Sequence, residues 1–369
     1  DYTLGGTITG NIDRNGILTN GDVQSYWASL GITNMPVVKV VRINGSALDP
    51  TDLTATIENT IDVSMVGACC PTSNLTIVLY YYNQYTAPIG VDAFYQVFTE
   101  AINRTVSVPV LGSVRPSIIS CSWGAPENQF SSAELTKYDT LFRSAQALGV
   151  TITAASGDLG SSNGTSGTIT DFPSSSPNVV SCGGTTLICS NQDVNGNYIY
   201  LGSTETTWSW SVLNRAGTGG GISSFFSGPP YPRVGLNKRQ TPDLALVADP
   251  NTGVTFSING LLRVIGGTSI VSPAIAGLVA CLPATHKSFL FKMYALPSNA
   301  FNDITVGTNE AYFAGPGYDN CTGLGSINGS VLIPAYNALL ASPPITNVRI
   351  RGVLTAMTNS TSQLTSTVS

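Results

Sequence analysis

Histidine is nearly absent from this sequence: the 369 residues contain one, His286. A serine-histidine-aspartate triad needs an imidazole beside its nucleophile, and a HExxH zinc site needs two histidines. The strongest candidate nucleophile, Ser269, precedes His286 by about 17 residues, roughly 25 Å along a helix. We therefore expect His286 at the surface and exclude both kinds of site. No D-[ST]-G sequence is present, which also excludes a pepsin-like pair of aspartates.

Charged residues are also scarce. Only 10% of the residues are charged and the formal net charge is -5, so the chain lacks the basic surface that binding to nucleic acid or anionic lipid requires. No apolar run reaches the roughly 18 to 20 residues needed to cross a bilayer. We expect no nucleic-acid partner and no membrane partner. A surface rich in Ser, Thr, Asn and Gly stays hydrated without ionised carboxylates, which suits an acidic extracellular or lysosome-like compartment.

The seven cysteines form no C-x-x-C pair, and their odd number leaves at least one thiol unpaired. Cys182 and Cys189 flank the stretch GGTTLI, which we interpret as a turn between two strands, and they are the candidate disulfide. The chain opens at Asp1 without an initiator methionine or a signal peptide, so we expect a processed, secreted protein. N-x-[ST] sequons suggest a glycoprotein, although Ser and Thr are frequent enough for chance to supply a comparable number.

Strand-like and helix-like stretches alternate through the first half of the chain. Residues 75–82, 116–124 and 150–158 are apolar runs typical of buried strands, whereas residues 91–104 and 132–149 carry apolar residues at helical spacing. This alternation predicts an α/β fold with a parallel sheet and helices on both faces. Functional residues of such folds lie beyond the carboxyl ends of the strands.

The middle of the chain has a different composition. Residues 160–260 are rich in Gly, Ser and Pro and contain short strand-like pieces, as expected of insertions that build loops around a cleft. We find no linker and no internal repeat, so we expect one domain over residues 1–369. Its last part, from about 341 to 369, is a Ser/Thr-rich tail to which we assign no role.

Ser269 lies in the stretch GGTSIVSP, behind two glycines and at the start of an apolar helix-like run. With no histidine near, a catalytic serine here would need a carboxylate as its base, and that carboxylate needs a pKa near the working pH. Glu58 and Asp62 are four residues apart and share one face of a predicted helix. Such a pair usually lies on a solvated helix surface. Apolar neighbours indicate burial instead, which would raise one pKa and let the two carboxyl groups share a proton.

Further candidates lie at the ends of two predicted strands. Asp158, in ASGDLGSS, follows one strand, and its simplest interpretation is a turn-forming aspartate. Trp123 and Gly124 follow another strand, where the tryptophan belongs either to the core or to the wall of a cleft; we favour the wall.

A series of motifs follows the Glu58-x-x-x-Asp62 pair: SIISCSWG, SGDLG, DFPSSSPNVVSCGGTTL, GGTSIVSPAIAGL, NDITVG and GPGYDNCTGLGS. In this order they resemble the sedolisin family of serine-carboxyl peptidases over nearly the whole chain. The resemblance implies a subtilisin-like fold and an acyl-enzyme on Ser269. It also implies that Glu58 is the general base, that Asp62 orients it, and that a protonated Asp158 donates a hydrogen bond to the oxyanion, which requires acid pH.

The same resemblance implies a calcium loop at about residues 302–325. Composition alone would make its two aspartates ordinary turn residues. Ligation by oxygen atoms only suits Ca²⁺ better than a transition metal. The implied ligands are the carboxylates of Asp303 and Asp319 and the backbone carbonyls of Ile304, Gly315 and Gly317.

Substrate contacts are also implied by the resemblance. Gly219 and Gly220, in AGTGGGISSFF, match a substrate-cleft loop, and the absence of a lysine argues against a phosphate loop there. Asp171 lies on a loop that borders the non-primed cleft, with a turn aspartate as the alternative. If Asp171 faces the substrate, Arg or Lys should be favoured near the cut.

The function expected from the sequence is that of an acid endopeptidase acting on peptides or proteins. As in the family it resembles, we expect a zymogen whose propeptide has been removed, and we expect a monomer. Two alternatives stay open: a tripeptidyl aminopeptidase of the same family, and a secreted non-catalytic binding protein that keeps the fold.

Overall fold

The structure is a computed structural model that describes residues 2–3, 5–84, 87–88, 90–108, 112–194, 198–211, 215–229, 237–282 and 289–341. The expected surface position of His286 and the expected tail after residue 341 concern residues outside this set. The helices of the described chain are α1 (Asp22–Ser29), α2 (Leu53–Cys69), α3 (Ala93–Asn103), α4 (Ser132–Ala147), α5 (Thr268–Ala280), α6 (Phe289–Met293) and α7 (Gly329–Ala341).

Two sheets form the centre of the molecule. Their strands are β1 (Tyr2–Thr3), β2 (Val37–Arg42), β3 (Thr76–Tyr81), β4 (Ile118–Cys121), β5 (Thr151–Ala155), β6 (Val180–Ile188), β7 (Thr204–Thr207), β8 (Leu244–Val247), β9 (Phe301–Asn302) and β10 (Ser326–Ile327). Shorter antiparallel pairs surround them: Asn11–Ile12 with Leu18–Thr19, Val106–Val108 with Gly112–Val114, Ala125–Pro126 with Asp171–Phe172, Asn191–Gln192 with Tyr198–Ile199, Gly221–Ser227 with Lys238–Thr241, and Val254–Ile258 with Leu261–Ile265.

The larger sheet has seven strands, in the order β9-β10-β8-β6-β5-β4, with β7 paired to β6. Strands β4, β5, β6, β8 and β10 run parallel to one another, whereas β9 and β7 run antiparallel to their neighbours. The carboxyl ends of β4 and β5 therefore lie side by side at one edge of the sheet, where functional residues were expected.

The smaller sheet has three parallel strands in the order β1-β3-β2. Strand β3 faces β4 of the larger sheet across a cavity of about 350 Å³, which is lined by Ile77 and Val78 on one side and by Ile118 and Ile119 on the other. The predicted parallel sheet is therefore present in two parts.

Helices cover both faces of the strands, as predicted. On one face, α2 and α5 bury Ile61, Val271 and Ile275 in one apolar cluster. On the other face, α3 and α4 bury Phe98 and Phe142, whose ring centroids lie 4.8 Å apart, in a second cluster. No helix in the described part of the chain is both long and apolar enough to cross a membrane.

The predicted stretches of secondary structure are confirmed within a few residues at each end. The start of α4 shows why: the Ser131 side chain accepts a hydrogen bond from the Glu134 N–H, and the Glu134 carboxylate accepts one from the Ser131 N–H. This reciprocal pair satisfies two backbone donors that the first turn of a helix leaves free.

The predicted disulfide between Cys182 and Cys189 is wrong, and both thiols are free. Strand β6 runs from Val180 to Ile188 without a turn, so about seven residues of strand, roughly 23 Å, separate the two cysteines. A disulfide needs Cα atoms within about 7 Å. The glycines that suggested a turn have another role. A Cβ at Gly183 would lie 2.5 Å from the Pro242 ring, so glycine permits close packing on the sheet.

Residues 160–260 contribute more than loops. Strands β6 and β8 lie in this region and are neighbours in the centre of the larger sheet. The short runs VSCGGTTLI and LALV form these strands.

Candidate active site

Helix α2 carries Glu58 and Asp62 toward helix α5. The Asp52 side chain caps α2 by accepting a hydrogen bond from the Ala55 N–H at 3.0 Å. Asp62 is fully buried and Glu58 is half-buried. The burial predicted from the apolar neighbours is confirmed, and the pair is not a solvated helix surface.

Ser122 connects this pair to the serine on α5. Its hydroxyl follows the end of β4 and donates to Asp62 Oδ1 at 2.6 Å, and the same hydroxyl lies 3.1 Å from the Ser269 carbonyl oxygen. Asp62 Oδ2 and Glu58 Oε1 have no hydrogen-bond partner among the described residues. Ser122 was not among the predicted site residues, although it precedes Trp123 in the SCSWG motif at a strand end.

Burial is the largest influence on both carboxyl groups. It raises the pKa of Glu58 well above its ordinary value, and the charge of Asp62 raises this pKa further. Hydrogen bonding from the Ser269 and Ser122 hydroxyls acts in the opposite direction. Burial also raises the pKa of Asp62 to about 7, against the effect of the Ser122 hydroxyl. Because two adjacent buried carboxylates repel each other, the pair holds a proton through the acid range.

Ser269 is the second residue of α5, so it lies at the positive end of the helix dipole. The two glycines before the helix allow the chain to make this turn. Gly267 has a φ of 112°, a conformation that favours glycine. A Cβ at Gly266 would lie 2.2 Å from the Ala248 carbonyl oxygen. The GGTS sequence therefore presents the serine close to the end of the sheet.

Asp158 lies after β5, on the other side of Ser269. Its Oδ1 accepts two hydrogen bonds of 2.7 Å, from the N–H and from the hydroxyl of Thr268. Burial raises the pKa of Asp158, and the two hydrogen bonds from Thr268 oppose the rise. A Cβ at Gly267 would lie 2.8 Å from Asp158 Oδ2 and 3.2 Å from Ser269 Oγ, so these two oxygens border the same small space.

A cleft cavity of about 580 Å³ opens beside Ser269. Trp123 and Gly124 border it, which favours the cleft-wall interpretation of the tryptophan. Gly219 and Gly220 are buried and are not among the described residues that line the cavity. Contact of these two glycines with a substrate stays a prediction. The predicted site residues that line the cleft are Trp123, Gly124, Asp158, Asp171 and Ser269.

Asp171 lies deep in the same cleft and is only 8% exposed. Its Oδ1 accepts a hydrogen bond from the Asn163 side-chain amide. Burial raises the pKa of Asp171 to about 7, and the Asn163 hydrogen bond acts against the rise. In the acid range Asp171 is therefore protonated.

The carboxylates of Asp303 and Asp319 accept hydrogen bonds from neighbouring backbone N–H groups of one glycine-rich loop. Asp303 Oδ2 accepts a hydrogen bond of 2.8 Å from the Gly317 N–H, and Asp319 Oδ2 accepts one of 3.0 Å from the Gly315 N–H. The Ile304 side chain is buried beside them, 2% exposed. The described residues contain no group of three or more His, Cys, Asp or Glu side chains arranged to hold a metal. Any cation here would therefore depend on backbone carbonyls as well as on the two carboxylates.

A mostly parallel sheet covered by helices, with a serine at a helix N-terminus among three carboxyl groups, defines the class: a subtilisin-like protein with a serine-carboxyl site. The model of the Subtilase family matches residues 90–325, more than half of the sequence. The chain belongs to this family.

Individual relatives agree with the resemblance found in the sequence. Kumamolisin from Bacillus sp. (strain MN-32) is 34% identical over 350 residues, which are 88% of this chain and 59% of kumamolisin. Sedolisin from Pseudomonas sp. (strain 101) is 32% identical over 62% of this chain and 41% of sedolisin. Tripeptidyl-peptidase 1 from Homo sapiens is 27% identical over 60% of this chain and 43% of the human protein. The chain thus spans less than two thirds of the length of each of these relatives.

A solved structure agrees as well. The structure of Pseudomonas sedolisin, a serine-carboxyl proteinase complexed with two molecules of pseudo-iodotyrostatin, matches with a TM-score of 0.69 at 24% identity. The match covers 91% of this chain and 92% of that one. The predicted subtilisin-like fold is confirmed.

Proposed function

We propose that this protein is a serine-carboxyl peptidase that hydrolyses peptide bonds at acid pH through an acyl-enzyme on Ser269. The observation that carries the proposal is the position of Ser269 close to Glu58, a half-buried carboxyl group whose pKa burial raises well above its ordinary value. Such a group accepts a proton from a serine far better than an exposed glutamate, because a base is most effective when its pKa lies near the working pH.

In the first half of the reaction, Ser269 Oγ attacks the carbonyl carbon of the substrate and its proton passes to Glu58. Asp62 carries the proton that the carboxyl pair already held, and the hydrogen bond from the Ser122 hydroxyl keeps the Asp62 side chain in place. The carbonyl electron pair moves onto oxygen, where a protonated Asp158 donates a hydrogen bond and the N-terminus of α5 adds its dipole. The amine then leaves with the proton from Glu58.

The second half repeats these steps with water. Glu58 takes a proton from the water as its oxygen attacks the ester carbonyl carbon of the acyl-enzyme, and Asp158 again donates to the oxyanion. The ester bond breaks, the Ser269 oxygen recovers a proton from Glu58, and the new carboxylic acid leaves. Every proton needed is held by a carboxyl group, so the reaction requires no histidine.

Digestion of a random peptide library at pH 3 to 5, with the cut sites mapped by mass spectrometry, tests the proposal. We expect cuts within the peptides. Removal of tripeptides from the amino end would identify the tripeptidyl aminopeptidase, and an absence of cuts would favour a binding protein that keeps the fold. Ser269→Ala should abolish cleavage. Ser272→Ala, a buried serine one turn further along α5, serves as the matched control and should retain it.

Asp171 is proposed as a substrate-contacting residue because it lines the cleft beside Asp158. Since burial raises its pKa to about 7, its attraction for a basic substrate side chain should grow as the pH rises from 4 to 7. Cleavage profiles of the wild type and of Asp171→Asn at both pH values measure this effect. Identical profiles for the two proteins at pH 6 to 7 would remove Asp171 from the subsite.

We also propose that the loop containing Asp303 and Asp319 binds calcium. The two carboxylates lie against the same short segment, Gly315 to Gly317, and the candidate donors are all oxygen atoms, which Ca²⁺ prefers. The carbonyls of Ile304, Gly315 and Gly317 would complete the ligand set. When bound, calcium would fix this loop against the end of the sheet and would take no part in bond cleavage.

Removal of calcium should therefore destabilise the protein. We expect excess EDTA to lower the melting temperature (Tm), elemental analysis to find calcium in the untreated protein, and Asp319→Asn to have a lower Tm that EDTA changes little. The measurement uses the Ser269→Ala protein, so that self-digestion does not contribute. A Tm unchanged by EDTA, together with no calcium in the untreated protein, would contradict the proposal.

A further inference from the structure

Helices α2 and α5 run side by side in the same direction. Ser269, at the start of α5, lies close enough to Glu58 of α2 to influence its pKa. Further along, Gly277 lies so close to α2 that a Cβ there would be 2.6 Å from the Val66 carbonyl oxygen. The separation in sequence between facing residues is the same at both points, so the helices keep one register from the serine to their C-terminal ends.

Two cysteines stand at those ends. Cys70 is the C-cap residue of α2, and Cys281 is the C-cap residue of α5. The Cys281 thiol lies close enough to the Cys70 thiol to raise its pKa. The Cys281 thiol also lies 3.6 Å from the Cys69 carbonyl oxygen. The same register that brings Glu58 to Ser269 thus brings one thiol to the other.

We propose that Cys70 and Cys281 form a disulfide bond that fastens the C-terminal ends of the two helices carrying the candidate active site. Both thiols are free in the structure, and the register of the two helices brings them to the same end of the helix pair, as a bond between them requires. The proposal is independent of the peptidase activity. It suits a protein of an oxidising compartment, where disulfides persist.

The neighbouring Cys69 is the alternative partner. Its backbone carbonyl faces the Cys281 thiol. Its side chain meets α5 one turn before Cys281, because its Cβ lies 2.9 Å from the position that a Cβ at Gly277 would take. Cys69 and Cys70 therefore differ in direction although they are adjacent in sequence, and Cys69 provides a matched control.

Bond formation needs an oxidant, and oxidised glutathione serves as one. Cys281 is exposed, so its thiolate attacks one sulfur of glutathione disulfide, forms a mixed disulfide and releases one reduced glutathione. Cys70 then loses its proton and attacks the Cys281 sulfur. The protein disulfide forms, the mixed disulfide breaks and a second reduced glutathione leaves. Two protein thiols are oxidised and one glutathione disulfide is reduced.

The second step should be the slower one. Burial raises the pKa of Cys70 to about 12, and the neighbouring Cys281 thiol raises it as well. Because the thiolate is the attacking form, closure should speed up about tenfold for each unit by which the pH rises toward that pKa.

Thiol counting tests the proposal on the full chain carrying Ser269→Ala. Each protein is incubated with oxidised glutathione at pH 8.5, denatured and alkylated, and its free thiols and peptides are analysed by mass spectrometry. The parent protein and Cys69→Ser should each lose two thiols and yield a peptide linked through Cys281. Cys70→Ser should yield no linked peptide and should retain glutathione on Cys281. A linked peptide in Cys70→Ser, or none in the parent protein, would overturn the proposal.

Thermal stability provides a second readout, and its main comparison uses only the parent protein, whose cysteines are all present. The bond would close a very long loop of the unfolded chain, so oxidation of the parent protein should raise Tm by about 4 °C relative to its reduced form. Cys69→Ser should show the same rise. A Tm that oxidation leaves unchanged in both proteins would contradict a bond in this position.

Discussion

Hydroxyl side chains organise the carboxyl groups of the site at the scale of single residues. Ser122 donates to Asp62 on one side of Ser269, and Thr268 donates to Asp158 on the other. A hydroxyl donor favours the ionised carboxylate, whereas burial favours the protonated acid. Burial is the larger effect at both positions and raises both pKa values. The serine is therefore surrounded by carboxyl groups that keep protons at acid pH.

Asp158 should set the decline of activity as the pH rises, because ionisation turns an oxyanion donor into a repelling charge. Asp158→Asn keeps a donor that does not ionise. We expect a peak kcat/KM lower by about 10²-fold, with a flatter decline on the alkaline side. The measurement is the pH profile of kcat/KM for both proteins.

The opposite outcome has a specific meaning. If the variant keeps the alkaline midpoint and steepness of the wild type, Asp158 does not govern the decline. The coupled pair Glu58 and Asp62 would then be the titrating unit.

At the scale of secondary structure elements, the site depends on the spacing of two helices. The close approach of α2 and α5 is possible because Gly277 has no side chain: a Cβ there would lie 2.6 Å from the Val66 carbonyl oxygen, a backbone atom that cannot move aside. The contact lies two turns beyond Ser269. A change in the separation of the two helices at this point should therefore also change the distance between Ser269 and Glu58.

Gly277→Ala should separate the helices. Overpacking against backbone should destabilise the protein by about 2 kcal/mol, more than the roughly 1 kcal/mol that alanine gains over glycine in a helix. Tm and kcat/KM should both fall. Gly329→Ala in α7 is the matched control, because no atom lies within 4 Å of a Cβ at that position. A Gly277→Ala protein as stable and as active as this control would show that the helix spacing does not matter.

At the scale of the whole molecule, buried carboxyl groups give the protein its response to pH. Burial raises the pKa values of Asp62 and Asp171 to about 7, whereas unfolding returns them to about 4. Between these values the folded state holds protons that the unfolded state has released, so stability falls as the pH rises from about 4 to 7. Exposed carboxylates with lowered pKa values, such as Asp13 and Asp49, act below pH 4 and do not offset this loss.

The protein should therefore be most stable in acid. With calcium held constant and Ser269→Ala preventing self-digestion, we expect Tm to be about 5 °C higher at pH 4 than at pH 7.5. Asp171→Asn removes one of the contributing groups and should reduce this difference. Calorimetry across the pH range gives both results. A Tm that is constant or rises from pH 4 to 7.5 would contradict the assignment of buried, protonated carboxyl groups.

The amino-acid sequence by itself was enough to predict the helix and strand stretches of the first half of the chain, the candidate serine and the three carboxyl groups around it. Local periodicity of apolar residues is sufficient to predict an amphipathic helix. Because histidine is scarce, a carboxylate had to be the base that takes the proton of the candidate serine. Glu58 and Asp62 could be paired because four residues make one helical turn. The resemblance of the ordered motifs supplied Asp158, whose position depends on the turn after β5.

Only the tertiary structure decided which distant groups meet. Ser122 reaches Asp62 because β4 ends beside α2, and the GGTTLI stretch forms the middle of a strand instead of a turn. These outcomes depend on which elements pack together, since the same glycines permit either a turn or close packing on a sheet. Short-range sequence patterns carry no information about that choice, because it is made by burial against residues far away in the chain.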